Sequence, residues 1–561
     1  MLPRSPRPLA LLALGLFTGA VQAQSQDLLL HRHSGAGGGD ELGRSLVVTG
    51  DLDGDGWADY AVGAPRADGY GRTNSGVVEL RSGKDGSLLR RHVGGAAHDW
   101  LGSALADLGD IDGDGLADLA VSASNAASHA GQVMALSGAD GSVLWTRDGR
   151  ANLDRFGDRL CAVADLDGDG RRELLVAATG ADVNGLQNAG RVLLLSGADG
   201  RELLRFEGDG DGDKLGFALA ELGDLDGDGA TDFALGAPFA DHPLANTGTV
   251  QVHSGATGAL LRRLDGPTEE ARFGYSLAGV GDTDGDGLPE LLVGAPDSGL
   301  APGSAWLMPG AGGPPVQRFY DGLADGFGQE VAAAGDQDGD GVTDLLVGVP
   351  YHDDVANQLA SAGRAIVYSG ADGRFLWDFV GHGNGDTLGD TLASGDLDGD
   401  GTAELLIGSP FADPGGLTHA GEASIWSFRH GPILGLSGTS VSLSAGGLVE
   451  IAMTFPLREA NASYSLLLSQ SGTGPTRFKG QIVPLTPDPM FWKSRDGQYH
   501  PAFLQPEGVL NEAAAASAWL SVPPGTASRL AGTSLWVCAI SRGGGLGVRF
   551  VSAAWRIDIL P

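Results

Sequence analysis

One nine-residue pattern constrains this chain more than any other feature of it. The segment Asp51-Leu-Asp-Gly-Asp-Gly-Trp-Ala-Asp59 recurs, in the same acidic register, from Asp110, Asp165, Asp224, Asp282, Asp336 and Asp396. The spacings are 59, 55, 59, 58, 54 and 60 residues. A period of that size is the signature of stacked or radially arranged units, none of which buries a core alone. An apolar-Gly pair precedes each copy: Leu42-Gly43, Leu101-Gly102, Phe156-Gly157, Leu215-Gly216, Phe273-Gly274, Phe327-Gly328 and Leu388-Gly389. A short apolar run follows, ending in Gly63-Ala64-Pro65, Gly236-Ala237-Pro238 and Gly294-Ala295-Pro296, or in the looser Gly348-Val349-Pro350 and Gly408-Ser409-Pro410.

A second half-repeat starts at Gly131, Gly190, Gly248 and Gly363, where two β-prone runs flank a turn of the Gly-Ala-Asp-Gly type. That is the pattern of a hairpin. Each unit then holds four strands, and no 3.6-residue apolar period persists in any of them, which favours a propeller blade over a helical repeat. The ends of the array agree. The stretch Asp27-Leu-Leu-Leu-His-Arg-His-Ser-Gly35 looks like the fourth-strand segment Ser87 to Gly94, with no earlier strands to pair with. The last unit has a third strand at Gly421 to Phe428 and then lacks the turn and the fourth. Residues near Leu28 to Arg32 are therefore expected to complete the seventh blade and close the ring, leaving only short edges.

The order of Phe-Gly, acidic loop and Gly-Ala-Pro resembles the FG-GAP repeats of integrin α-subunit propellers and their secreted bacterial relatives, across residues 27–430. The expected fold is all-β: a seven-bladed FG-GAP β-propeller followed by a small β-sandwich-like module over 431–561. That tail loses the acidic loops and alternates β-prone runs with Gly, Pro and Ser. An apolar run from Leu9 to Val21 after Arg4 and Arg7 reads as a signal peptide over 1–23, so the chain is expected outside the cytoplasm, secreted, periplasmic or at the cell surface. No later stretch has the roughly 18 apolar residues of a membrane helix.

Carboxylates stand at positions 1, 3, 5 and 9 of every loop, with glycine at 4 and 6. In order they are Asp51, Asp53, Asp55 and Asp59; Asp110, Asp112, Asp114 and Asp118; Asp165, Asp167, Asp169 and Glu173; Asp224, Asp226, Asp228 and Asp232; Asp282, Asp284, Asp286 and Glu290; Asp336, Asp338, Asp340 and Asp344; and Asp396, Asp398, Asp400 and Glu404. Alternating carboxylates on a tight turn converge, and glycine accepts the positive φ such a turn needs. With a backbone carbonyl at position 7 (Trp57, Leu116, Arg171, Ala230, Leu288, Val342 or Thr402) and a water, each loop offers the roughly six to eight hard oxygens of Ca²⁺. Up to seven structural Ca²⁺ are expected. An EF-hand needs Glu at position 12, and Val62, Val121, Val176, Leu235, Val293, Val347 and Ile407 stand there instead. The loops thus match the β-hairpin calcium loops that the resemblance implies. The further run Asp209-Gly-Asp-Gly-Asp213 has the charge without the register and is expected to be a solvated loop.

Lys and Arg number 36 against 71 Asp and Glu, a formal charge of −35, which repels nucleic acid and anionic membranes. Cations are the favoured guests. The resemblance places ligand contacts on the face opposite the metal loops, in the connections after Gly-Ala-Pro, where Tyr70, Phe239, Tyr351, His352, Asp353 and Asp354 lie. It implies an adhesion or interaction module for an extracellular protein or glycan, carried by a monomeric propeller. No Gly-x-Ser-x-Gly elbow, His-Glu-x-x-His motif or phosphate-cradling loop is found, so an enzyme is not expected. The alternative is a secreted enzyme or the accessory subunit of an extracellular hydrolase. His31 and His33, on one strand, are expected at the surface, and Cys161 and Cys538 are too few for a disulfide scaffold.

Overall fold

The computed structural model describes residues 29–427, apart from 243, 297–301 and 324, and beyond 427 only the backbone of strands. The leader, the domain ends at 27 and 430, and the side chain of Cys538 lie outside the described residues.

Seven four-stranded antiparallel sheets follow one another along the chain. In blade 1 the strands are Ser45–Val48, Tyr60–Ala64, Val77–Arg81 and Leu88–Val93. The first strand of every blade touches the first strand of the next, and that of blade 7 touches that of blade 1, so the first strands ring a common axis. The acidic loop joins first to second strand at one end of each blade. The connection after the Gly-Ala-Pro run joins second to third at the other. Helical structure in the described residues is limited to turns at Ala126–His129 and Pro414–Gly416.

Ring closure follows the expectation. Strand Leu29–Ser34 forms the outer edge of blade 7 against Glu422–Trp426, with Ser34 opposite Glu422 and His33 opposite Ala423. Arg32 reinforces the register by pairing with Glu422 at 3.3 Å.

The second strands read as continuous apolar runs because each is buried on both faces. Tyr60–Ala64, Leu291–Ala295 and Glu404–Ser409 have no exposed residue. The cores lie between blades and not within them. Leu46, Tyr60 and Val62 of blade 1 pack on Leu406, Ala423 and Ile425 of blade 7, while Leu174 and Val176 of blade 3 pack on Leu108, Ala120 and Val133 of blade 2. A lone blade would leave both apolar faces wet, which is why the repeat has to be read as an array.

The apolar-Gly pairs set the distance between blades. Gly43 has φ +88°, and a Cβ there would sit 2.4 Å from the carbonyl oxygen of Glu422 in blade 7. The Gly-Ala-Pro-type glycine of that blade meets it: a Cβ on Gly408 would lie 2.2 Å from the carbonyl of Gly43. Two glycines facing each other across a seam let the backbones approach where no side chain fits. The outer strands fasten the same seams by donating to the next blade's turn. Arg90 donates to the carbonyl of Gly138, and Trp145 Nε1 to that of Gly197, each at 2.6 Å.

His31 and His33 belong to this fastening, contrary to the surface placement expected of them. His31 Nε2 lies 2.9 Å from the carbonyl of Gly83, and His33 Nε2 lies 2.6 Å from the Tyr60 hydroxyl. Sitting in the seam between blades 7 and 1, His33 is pushed down to about 3 by burial, with Arg81 and His31 adding to the effect. Asp213 also departs from the solvated reading of its run. It is buried, at the place in the link between blades 3 and 4 that buried Asp40 takes between blades 7 and 1, while Asp209 and Asp211 stand exposed. Beyond the propeller, strands between 433 and 560 pair into sheets of four, six and two. How those sheets pack lies outside the described residues.

Candidate metal centres and ligand face

The acidic loops hold their shape through their own carboxylates. Asp51 Oδ1 accepts from the amides of Gly54 at 2.8 Å and Asp55 at 3.2 Å, and Oδ2 from Gly56 at 2.9 Å. Asp53 Oδ1 accepts from Asp55 N at 3.0 Å, and Asp55 Oδ1 from Trp57 N at 2.9 Å. The set recurs almost bond for bond from Asp110, Asp165, Asp224 and Asp396. Glycines at positions 4 and 6 take positive φ, as Gly54 (+78°) and Gly56 (+88°) show.

Position 9 has a different environment. Asp59, Asp118, Glu173, Asp232, Glu290, Asp344 and Glu404 are all 0% exposed. Asp59 Oδ2 accepts from Leu52 N at 2.7 Å and Oδ1 from Gly83 N at 3.0 Å, tying the acidic loop to the hairpin turn of its own blade. Burial pushes Asp59 up to about 6, and the neighbouring Asp53 and Asp51 add to that. Burial likewise pushes Glu173, Asp344 and Glu404 up to about 7, each with loop carboxylates contributing. Asp51, at the rim of the loop, moves the other way, held low by the Gly56 amide above all. A buried anion facing other anions is costly unless a proton or a cation offsets it.

Carboxylate oxygens of positions 1, 3 and 9 lie within 4.8 Å of one another at Asp51, Asp53 and Asp59, and in the loops from Asp110, Asp224 and Asp282. In the loop from Asp165, position 5 joins them, so that Asp165, Asp167, Asp169 and Glu173 converge. Glu173 Oε1 is buried there with no hydrogen-bond partner among the described residues. A set of hard oxygens around an unsatisfied buried carboxylate fits a hard divalent cation and lacks the Cys or His of a soft-metal site.

On the opposite face, the connections of blades 1, 3, 4, 6 and 7 are each closed by an Asp that accepts from a backbone amide further along, while that of blade 2 holds no Asp. Asp68 accepts from Asn74 N, Asp182 from Asn188 N, and Asp353 from Ser361 N, at 2.8 to 2.9 Å. Asp354 is 7% exposed and holds Asn357 Nδ2 at 2.6 Å, and His352 Nδ1 lies 3.2 Å from Asp325 Oδ2. These three side chains are engaged within the fold. Tyr70 is 84% exposed and Tyr351 49%. Phe239 is half-buried, edge-on to Phe217 with ring centroids 5.6 Å apart and with Lys214 Nζ 4.8 Å from its ring.

Phe217 points to a group that sequence reading missed, the residues directly after each apolar-Gly pair and their neighbours. Phe217 and Tyr275 meet with ring centroids 4.6 Å apart and planes tilted by 52°, with Arg159 over Phe217. Arg44 pairs with Asp390, and Gln329 donates to Asp390 at 3.1 Å. Burial pushes Glu330 up to about 7, with Arg159, Asp390 and Arg44 acting on it. Contributions from blades 1, 3, 6 and 7 to one site are geometrically reasonable only across the axis, so these residues form the channel mouth on this face. Towards the acidic-loop end lies a cavity of about 320 Å³ where first strands of blades 7, 1, 2 and 3 face one another. Arg172 there lies 3.7 Å from Asp107 and 3.2 Å from Glu221, beside Cys161, whose thiol burial pushes up to about 12.

The FG-GAP repeat family matches the chain seven times, over residues 42–78, 104–134, 156–195, 220–253, 273–308, 327–368 and 388–426. Integrin alpha-V of Gallus gallus is 34% identical over 227 residues, covering 38% of this chain and 22% of that protein. Integrin alpha-PS2 of Drosophila melanogaster is 32% identical over 206 residues, 33% of this chain and 14% of that protein. Integrin alpha-IIb of Homo sapiens is 39% identical over 149 residues, 24% of this chain and 14% of that protein. The chain therefore spans 14% to 22% of the length of these curated relatives.

Proposed function

The chain is an FG-GAP repeat protein with an integrin-α-like propeller, and from that premise we propose that it is an exported, calcium-stabilised interaction module. In this reading residues 1–23 are a leader, 27–430 the propeller, and 431–561 a separate β-rich domain. The observation that carries the metal half is the repeated convergence of loop carboxylates on a fully buried acidic side chain. Positions 1, 3, 5 and 9 would hold Ca²⁺, joined by the position 7 carbonyl, and seven ions would shift the formal charge from −35 to −21. The cation is structural, since loops closed by their own hydrogen bonds leave no reacting group in place.

The interaction half rests on the opposite face, where Tyr70 and Tyr351 stand exposed and Phe239 edges the channel mouth. An extracellular protein or glycan is the proposed ligand, and binding rather than catalysis is the proposed activity. The test is full-length protein presented to glycans, matrix proteins and cell surfaces, with calcium and after chelation, alongside equilibrium dialysis for bound Ca²⁺. Stoichiometric Ca²⁺ uptake and ligand capture lost with Tyr351→Ala support the reading. Absence of Ca²⁺ uptake at about 1 mM, the upper range for extracellular modules, refutes its metal half. Capture of no ligand by the calcium-loaded protein refutes adhesion through this propeller.

A further inference from the structure

The seven loops share one backbone, yet their surroundings differ in charge. In blade 3 the residue after the Ala-Asp-Gly turn is Arg201, and its Nη2 lies 2.5 Å from Asp167 Oδ2, at loop position 3. Blade 6 repeats the arrangement, with Arg374 Nη2 2.5 Å from Asp338 Oδ2. Lys84 of blade 1 makes a weaker approach, 3.9 Å from Asp55 Oδ2. Blades 2, 4 and 5 carry Ser142, Ala259 and Pro314 where Arg201 and Arg374 stand. No Lys, Arg or His among the described residues lies within 4.0 Å of their loop carboxylates. Blade 7 takes its fourth strand from Leu29–Ser34 and so has no turn joining its third strand to its fourth.

We propose that Arg201 and Arg374 act as built-in cations that compete with Ca²⁺ for Asp167 and Asp338, so that the loops of blades 3 and 6 fill last. This rests on the calcium reading above. A guanidinium on a ligand carboxylate has to be displaced, or its positive charge tolerated, before a divalent cation takes that oxygen. In blade 3, where four carboxylates converge, Arg201 already supplies positive charge at the cluster. Both arginines are about half exposed, at 55% and 51% of the side chain, so each competes with the strength of a surface ion pair. An affinity loss of about fivefold per loop corresponds to the upper end of such pairs. The propeller is thereby graded, with blades 3 and 6 losing their ions first as calcium falls.

The test is calcium titration of full-length protein read by hydrogen exchange of loop amides, which resolves one blade from another. In the parent, 165–173 and 336–344 gain protection at about fivefold higher calcium than 110–118 and 224–232. Arg201→Gln with Arg374→Gln brings the two sets together, Arg201→Lys with Arg374→Lys keeps them apart, and Arg150→Gln, which removes a charge paired with Glu202, moves neither. Coincident protection in the parent, or no movement in the Gln variant, overturns the proposal and leaves the calcium reading intact. No loop responding to calcium in any variant overturns both.

Discussion

The two faces of the propeller are built from the same seven repeats, yet one is nearly a copy at every blade and the other is different at each. On the acidic face the backbone is dictated: three carboxylates per loop accept from amides two to five residues on, and two glycines take positive φ. On the opposite face a backbone-accepting Asp closes five of the connections, as Asp68 and Asp182 do, and the intervening residues are free to vary. Repetition within the chain follows conformational demand. Where many hydrogen bonds must be made at once, little else fits; where one suffices, the surface can diversify.

The largest expected effect that sharpens this contrast is chelation. If the acidic face is a set of metal sites, removing Ca²⁺ lowers the melting temperature by about 10 °C or more, since each ion adds mass-action stability. An unchanged calorimetric melt would break the contrast, reducing the acidic face to self-supporting turns. Next is Asp59→Ala, which strands the buried amides of Leu52 and Gly83 and costs about 3 kcal/mol. The counterpart Asp353→Ala, losing an exposed bond to Ser361 N, costs about 1 kcal/mol or less. Equal losses in denaturant titrations would erase the difference between the faces.

The seam between blades 7 and 1, which runs from one face to the other, is tested by pH. His33 has its native value pushed down to about 3, below the ordinary value of 6.5, so from pH 6.5 downwards the unfolded chain binds a proton that the native one refuses. Stability from this residue is complete above 6.5 and falls as pH drops towards 3, by up to about 1 kcal/mol per unit after solvent screening. His33→Gln should flatten the slope of stability against pH measured in chelator; an unchanged slope removes His33 from the closure. The smallest effect is Tyr70→Ala, within about 0.5 kcal/mol on stability for so exposed a side chain, while ligand capture falls.

Much of the fold was legible because it is local. The recurring loop, the apolar-Gly pairs and the missing fourth strand of blade 7 placed the blades and the closing strand before any coordinates. His33 is buried by blade 1, a neighbour its own strand does not reveal, and Asp213 by the fold of the link between blades 3 and 4. The channel mouth of Arg44, Phe217, Tyr275 and Asp390 went unnoticed because the residue after each apolar-Gly pair changes type from blade to blade. Its fixed position in the repeat was the available signal.

The sequence by itself determined the period, the turn geometry and the order of strands, since each is a demand on φ, hydrogen bonding or burial within one unit. Only the tertiary structure decided which carboxylate of each loop is buried, which loops an arginine reaches at position 3, and which residues meet across the axis. The first two arise when the strands and turns of one blade pack together, and the last only once seven blades close on one another. Contacts between residues hundreds of positions apart, such as Arg44 with Asp390, depend on that closure and not on the local pattern.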